Sequence, residues 1–470
     1  MSVPSATVIS AAFLQSDNLK RDVFVKVPKD IEKENVVWKL RKPLYGLTDA
    51  GRKFWLKVRS IVESNGYEKL KGDEAFYFKH EDGKLSGMLL LHVDDFMMAG
   101  SKDFVQETTE MFRKNLTISK VEDDRFRFCG VDVQLRDGRI DISMEDYTKS
   151  LCESKVDCTR KKTSSLNPDE ISELRSICGK ISWLAENCRP DLQFNALELS
   201  RKNREATIAD LKYANTVIKK AKSKTSKITY GCIGNLKEIV IYGIGDASYK
   251  AGERAIGGQL ILIGNKYNDK AVPVLWKSKL IRKVCKSPKD AETVNTGILV
   301  DMARHTANQV GQILYGKNNL ITNKIKVRIL TDNLGVLESI ASSHQVERRT
   351  MRSDVADLKQ QLEDRNVDFY AWCQDEMMIS DILTKEKKEK FGLDGLIRDN
   401  RLEILLNRDN MVTYSELDND YIISGRRLRD KIAPRKGPPM RKKLKTGAGI
   451  KTGAGIKTEA GIKTGAGIKK

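Results

Sequence analysis

The stretch that most constrains this chain is Leu89-Leu90-Leu91-His92-Val93-Asp94-Asp95-Phe96-Met97-Met98-Ala99-Gly100. Apolar residues flank Asp94 and Asp95 on both sides, which predicts two buried strands meeting in a turn that carries two adjacent carboxylates. Like charges held side by side and shielded from water are costly unless a cation offsets them. A hard divalent ion, held by one or two carboxylates and a substrate phosphate, is one such partner. The other reading is a solvated hairpin turn, which Asp favours in its own right.

At 470 residues the chain exceeds one ordinary core, so two or three domains are expected. Its 84 Lys and Arg against 64 Asp and Glu leave a formal charge of +20, which favours a polyanionic partner such as nucleic acid or an anionic membrane surface. No apolar run approaches the length of a spanning helix, and the first residues lack the charged-then-apolar order of a secretory signal. The expectation is a soluble, intracellular protein with no membrane partner. Eight cysteines, with no Cys-x-x-Cys pair, are expected to pack as small apolar side chains in a reducing compartment.

Residues 6–14 and Val23 to Val27 read as strands. Val37 to Trp55 reads as a turn around Tyr45-Gly46-Leu47 followed by a basic, aromatic helix. Arg and Lys interleaved with Tyr, Phe and Trp suit phosphate contacts and base stacking; an amphipathic helix that buries Phe54 and Trp55 suits the pattern equally. Taken together, AAFLQ, KLRKPLYGLTDAGRKFW, LHVDDFMMAGS and ISWLAENCRPDLQF resemble, in order and spacing, the reverse transcriptase of copia-type LTR retrotransposons. The resemblance implies a right-handed palm in which Asp94 and Asp95 hold two Mg²⁺ or Mn²⁺ ions, with an RNA template, a DNA primer and dNTPs as partners. It places Phe13 at the aromatic gate against the ribose 2′-hydroxyl and puts Tyr45 and Arg52 among the substrate-binding residues.

Departures from the family carry their own expectation. Val8 stands where the family has its first catalytic Asp, His92 replaces the usual Tyr, Gly51 replaces the usual Pro, and the fingers are largely missing. DNA polymerase activity is therefore expected to be impaired.

Further along, Phe104 to Asn115 reads as a helix, and Arg136-Asp137-Gly138 as a turn between strands. Asn167-Pro168-Asp169-Glu170 combines an Asn cap, Pro at the first position and acids in the first turn, and so predicts a helix start. A basic helix is expected around Ala209 to Lys224. This region resembles the family's thumb and connection.

Beyond Ile228, strands are expected at Glu238 to Asp246, Gly257 to Ile263 and Ala271 to Trp276, then a long helix opened by Asp290 with Val294, Ile298 and Met302 on one side. A strand at Lys326 to Thr331, a helix at Thr350 to Glu363, a strand at Val367 to Trp372 and a last helix with Asp381 complete the unit. That order, with GDAS at Asp246, AET at Glu292, LTDN at Asp332 and SDILTK at Asp381, resembles ribonuclease H. The resemblance implies that Asp246, Glu292, Asp332 and Asp381 hold two Mg²⁺ or Mn²⁺ ions and cut the RNA strand of an RNA–DNA hybrid. His344 in SSHQVERR reads as a surface residue, and Arg348, Arg349 and Arg352 as candidates for phosphate contact.

The expected fold is thus α+β and α/β multidomain: a reverse-transcriptase palm over 1–160, a thumb or connection-like helical region over 161–235, and a ribonuclease H-like mixed sheet with helices over 236–390. Residues 391–470, ending in KTGAGI repeats, are expected to be a disordered basic tail. The expected function is that of a retrotransposon reverse transcriptase/ribonuclease H, a nucleotidyltransferase and endonuclease. Its partners could include a second copy or other Pol and Gag products, in a cytoplasmic particle or the nucleus. A catalytically inactive nucleic-acid-binding remnant is the alternative.

Overall fold

In chain order, β1 (Val3–Ile9) is followed by a two-stranded ribbon, β2 (Phe24–Lys26) and β3 (Val37–Lys39), and by helix α1 (Ala50–Ser64). Next come β4 (Glu68–Lys69), β5 (Phe76–Glu81), β6 (Lys84–His92), β7 (Asp95–Gly100), α2 (Lys102–Asn115) and β8 (Ile118–Asp123). These positions come from a computed structural model that describes residues 3–31, 36–202, 205–316, 324–342, 348–386, 392–402, 411–415 and 420–424. His344 and the KTGAGI repeats lie outside the described residues.

The first sheet has the order β4-β5-β6-β7-β1-β8, so the hairpin with the acidic turn lies at its middle. Period-two alternation along β6 and β7 buries Leu89, Leu91, Phe96 and Met98 against Phe54, Val58 and Val62 of α1 and Phe104 and Phe112 of α2. Gly87 is needed where α2 crosses: a Cβ there would sit 2.3 Å from the Phe104 ring. Ser101 caps α2 by accepting from the Phe104 amide at 3.1 Å.

β9 (Arg125–Phe128), β10 (Val131–Arg136) and β11 (Arg139–Ser143) form a meander. Its last turn has φ +50° at Asp137 and +73° at Gly138, the positive-φ pair that matches the strand twist in a tight hairpin. Helices α3 (Glu145–Ser150), α4 (Pro168–Asn187), α5 (Gln193–Arg201) and α6 (Ile208–Lys222) follow, and β12 (Lys227–Tyr230) then returns to pair with β11. One core joins Val131 and Met144 to Leu174, Ile181 and Leu184 of α4 and Leu211 and Val217 of α6. The expected boundary at 160 therefore cuts across a shared sheet and core.

Asn167 and Glu170 close a reciprocal capping box at the start of α4. At its far end the buried Arg189 is bidentate to Asp191, at 2.8 and 2.9 Å, and donates to the carbonyls of Lys220 and Ala221 at the end of α6. A fixed guanidinium thus satisfies helix-end acceptors that would otherwise be buried unpaired.

The third sheet is built from β13 (Ile239–Ser248), β14 (Ile256–Asn265), β15 (Ala271–Leu280), β16 (Lys326–Thr331), β17 (Phe369–Trp372), β18 (Met411–Ser415) and β19 (Asp420–Ser424). Its order is β15-β14-β13-β16-β17-β18-β19. β13 pairs antiparallel with β14 and parallel with β16, so the sheet is mixed, as expected. Helix α7 (Pro288–Tyr315) lies between β15 and β16 in sequence, and α8 (Leu334–Ala341) and α9 (Arg349–Glu363) lie between β16 and β17.

Three expectations are corrected here. The tail does not begin at 391, because β18 pairs with β17 and β19 with β18, which carries the sheet to Ser424. Asp381 lies on a short 3₁₀ turn, Ile379–Leu383, rather than on an α-helix. The buried face of α7 is Leu299, Val300, Ala303 and Ala307, while Ile298 is exposed. Among the described residues, no helix is long and apolar enough to cross a membrane.

Candidate metal centre

The four acids of the third sheet come from four separate elements. Asp246 is near the end of β13, Glu292 lies in the second turn of α7, Asp332 directly follows β16, and Asp381 sits on the 3₁₀ turn. Close approach at the glycines of β14 lets the last element reach the others: a Cβ on Gly258 would fall 2.8 Å from both Leu383 and Thr384.

The carboxylates converge in two overlapping groups, Asp246 with Glu292 and Asp332, and Asp332 with Asp375 and Asp381. Within each group one oxygen per residue lies within 4.8 Å of the others. Asp246 and Asp381 are fully buried, Glu292 is nearly so, and Asp332 is half-buried. Burial pushes the Asp246 carboxyl up to about 6, with the Asp381 and Asp332 charges adding to the rise and Lys385 opposing it. Burial, followed by the charge of Asp246, raises Glu292 well above the usual carboxyl range, and burial also raises Asp332.

Lys385 Nζ reaches Asp381 at 3.2 Å and Asp246 at 3.4 Å. Burial alone would lower its pKa, but the charges of Asp246 and Asp381 outweigh that and hold the ammonium charged. The Thr384 hydroxyl donates to Asp246. Glu292 accepts from the Ala247 amide at 3.1 Å through Oε1, whereas its buried Oε2 has no hydrogen-bond partner. A buried carboxylate oxygen without a partner, in a residue grouped with further carboxylates, fits the donor set of a hard divalent cation.

The backbone around the centre is braced. Asn295 donates to the carbonyls of Asp246 and Gly258 at 3.0 and 3.2 Å, and Trp372 donates to the Asp332 carbonyl at 3.0 Å. Asn195 of α5 donates to Glu386, next to Lys385, at 3.4 Å, so the helical region also contacts the segment that carries Asp381.

The palm acids have a different setting. Val93, the residue before Asp94, has φ +53°, a left-handed conformation that a β-branched side chain adopts only under strain. Asp94 and Asp95 are half-buried, and burial followed by the Asp94 charge raises Asp95. β1 places Val8 directly opposite Asp95, so an isopropyl group holds the position where the resemblance puts a carboxylate. Among the described residues, neither group of three metal-capable side chains includes Asp94 or Asp95.

Phe13 packs half-buried against Tyr45, ring centroids 4.4 Å apart, and Tyr45 is exposed. Arg52 is exposed on α1. Phe54 is buried there, whereas Trp55 is half-buried with Arg59 over its ring. Arg348 does not stand free for phosphate: its Nη1 donates to both carboxylate oxygens of Asp290, at 3.0 and 3.1 Å, while Arg349 is exposed at the start of α9. Cys178, Cys188 and Cys373 are buried, but Cys152, Cys158 and Cys232 are exposed, so only part of the set packs as apolar side chains.

Sequence reasoning assigned no role to Asp375, Thr384 or Lys385. The last two fall inside SDILTK, where a hydroxyl and an ammonium beside an acid were a usable signal. Asp375 is one more exposed acid in a loop until the fold brings it to Asp332 and Asp381.

Residues 5–167 match the family described as Reverse transcriptase (RNA-dependent DNA polymerase). A transposon Ty5-1 protein of Saccharomyces cerevisiae is 26% identical over 306 residues, covering 60% of this chain and 94% of that protein. The retrovirus-related Pol polyprotein from transposon RE1 of Arabidopsis thaliana is 24% identical over 302 residues, covering 60% of this chain but only 20% of the polyprotein. Among solved structures, LC11-RNase H1 in complex with an RNA/DNA hybrid is similar at 15% identity and TM-score 0.22, covering 31% of this chain and 93% of that one. Residues 5–167 thus match a reverse-transcriptase family, and over about 300 residues the chain is similar to transposon-encoded proteins that include a retrovirus-related Pol polyprotein.

Proposed function

We propose that this chain is a divalent-metal-dependent ribonuclease H that hydrolyses the RNA strand of RNA–DNA hybrids. One observation carries the reading: Asp246, Glu292, Asp332 and Asp381, from four elements, meet in two carboxylate groups that share Asp332. Asp246, Glu292 and Asp332 would hold a metal ion on the inner side, and Asp381 and Asp375, sharing Asp332, on the outer side. Bound there, Mg²⁺ or Mn²⁺ supplies an acidified water and charge neutralisation at the scissile phosphate.

The protein's own groups prepare that chemistry. Asn295 and Trp372 fix the backbone on which Asp246 and Asp332 sit. Thr384 orients Asp246 through its hydroxyl, and Lys385 places an ammonium at the mouth of the acids, where it can meet a phosphate oxygen. The net charge of +20 draws the polyanionic substrate toward the protein.

A second reading applies to the palm alone. Val8 opposite Asp95 favours a palm that binds nucleic acid without polymerising, in keeping with an impaired polymerase.

The test is cleavage of an end-labelled RNA in a hybrid duplex by the purified chain with Mg²⁺. Internal cuts leaving 3′-hydroxyl and 5′-phosphate ends are expected, and Asp332→Asn should reduce them to background. Equal cutting by both proteins, or none by the unmodified chain with either Mg²⁺ or Mn²⁺, refutes the reading.

A further inference from the structure

The helical region holds a buried polar group whose partners reach outside that region. Asn195 of α5 is 1% exposed, yet both polar atoms of its amide are used. Its Oδ1 accepts from Lys220 Nζ at 2.8 Å, and its Nδ2 donates to the Tyr213 hydroxyl at 2.8 Å and to Glu386 at 3.4 Å. Lys220 Nζ also donates to the Asp191 carbonyl at 3.1 Å. An ammonium has only hydrogens to offer, so it fixes which end of the amide faces it and turns the Nδ2 donor toward Tyr213 and Glu386.

Lys220 and Tyr213 belong to α6, but Glu386 directly follows Lys385, at the end of the segment that holds Asp381 and Thr384. Against that segment, α5 and the turn Pro190–Leu192 pack on Ile379–Leu383. Burial pushes the Tyr213 hydroxyl up to about 12, with the bond from Asn195 opposing the rise and the Glu386 charge adding to it. Burial also lowers Lys220, against the charges of Asp191 and Glu386. The carboxylate at 386 is therefore felt by both α6 partners of Asn195. A buried polar network costs desolvation that apolar packing of α5 would not, so its partners, rather than its packing, account for the amide.

We infer that Asn195 is a positioning residue for the metal centre: through Glu386 it ties α5 and α6 to residues 379–386 and so sets where Asp381 and Lys385 stand. Glu386 is held one residue beyond the Lys385 ammonium, which reaches Asp246 at 3.4 Å and Asp381 at 3.2 Å. The amides of Thr384 and Lys385 both donate to the Asp381 carbonyl, at 3.1 and 3.0 Å. A shift of Glu386 is thus passed back to Asp381 within one turn of backbone. Groups that orient metal ligands from outside typically change affinity by about 10- to 100-fold when lost. The inference rests on the reading of the acids as a metal centre, and it adds to that centre a residue from the helical region.

The experiment uses the full chain, with Mn²⁺ affinity read by electron paramagnetic resonance and hydrogen exchange of residues 379–386 read by mass spectrometry. Asn195→Asp keeps an acceptor for Lys220 but sets a second carboxylate against Glu386. It should weaken Mn²⁺ binding about tenfold and speed exchange at Thr384 and Lys385. Adding Glu386→Gln turns that partner into a donor, so the double variant Asn195→Asp/Glu386→Gln should recover the affinity to within about threefold and restore slow exchange. Rescue from an exposed side chain of another segment is not what a residue that only holds α5 together would give. Unchanged affinity and exchange in Asn195→Asp overturn the inference, as does a loss that Glu386→Gln fails to recover, or faster exchange spread evenly through α4, α5 and α6. No Mn²⁺ binding by the unmodified chain, with the exchange pattern and its rescue intact, removes the metal centre and leaves Asn195's hold on the segment standing.

Discussion

Two acidic sites in one chain differ in the features that suit carboxylates to a metal ion. At the palm, Asp94 and Asp95 are adjacent in sequence, half-buried, and faced across the ladder by Val8. In the third sheet, Asp246, Glu292, Asp332 and Asp381 are far apart in sequence and mostly buried, and they meet in two groups that share Asp332, with one Glu292 oxygen left without a hydrogen-bond partner. Adjacent acids on a turn can be satisfied by water. Buried acids from four elements cannot, so their repulsion is a standing cost that a cation relieves. Here Lys385 relieves part of it from within the chain.

The sharpest way to break this contrast is thermal unfolding with and without Mg²⁺. At about 100 times its dissociation constant, Mg²⁺ should stabilise the chain by ~2.7 kcal/mol. Asp94→Asn should keep that gain, and Glu292→Gln should lose it. A gain lost in the palm variant instead would reverse the comparison.

Val8→Asp should turn the palm toward the other kind of site. A carboxylate there faces Asp95 and should destabilise the metal-free protein by about 1–3 kcal/mol, with Mn²⁺ restoring most of the loss. If Mn²⁺ makes no difference in melting experiments, the absent third acid is not what separates the two sites.

Asp375→Asn should weaken metal binding about tenfold, or ~1.4 kcal/mol by calorimetry, as expected for a group at the edge of the centre. The smallest effect belongs to the palm turn. Val93→Gly relieves a left-handed β-branched residue and should raise stability by about 1 kcal/mol in denaturant titrations, part of the relief being offset by glycine's backbone entropy.

Legibility in the sequence followed the range of the interactions. The capping box at Asn167 and Glu170, the positive-φ turn at Asp137 and Gly138, and the alternation through β6 and β7 are local patterns, and each was readable residue by residue. The buried face of α7 was misjudged because its N-terminal turns point buried polar groups, Glu292 and Asn295, into the acidic centre rather than into an apolar core. α8 is short and follows Asp332 at once, and β18 and β19 are short strands among charged residues. All three are held in place by the sheet and its helices, and the strand-forming residues of MVTYS and DYIIS are a local signal obscured by their charged surroundings.

The same distinction applies to the centre itself. The four acids were found by their place in an ordered set of elements and words, whereas Asp375 belongs to no motif and reaches the site only through the chain's path after β17. Arg189 in ENCRPDLQF looked like part of a family word. Its physical reason, a buried guanidinium that binds Asp191 and the last carbonyls of α6, needed the fold to be visible.

The most direct measurement is anomalous diffraction from crystals of the full chain soaked in Mn²⁺. The account predicts Mn²⁺ peaks among Asp246, Glu292, Asp332 and Asp381, and none at Asp94 and Asp95. Peaks at the palm pair with none in the third-sheet centre would contradict it.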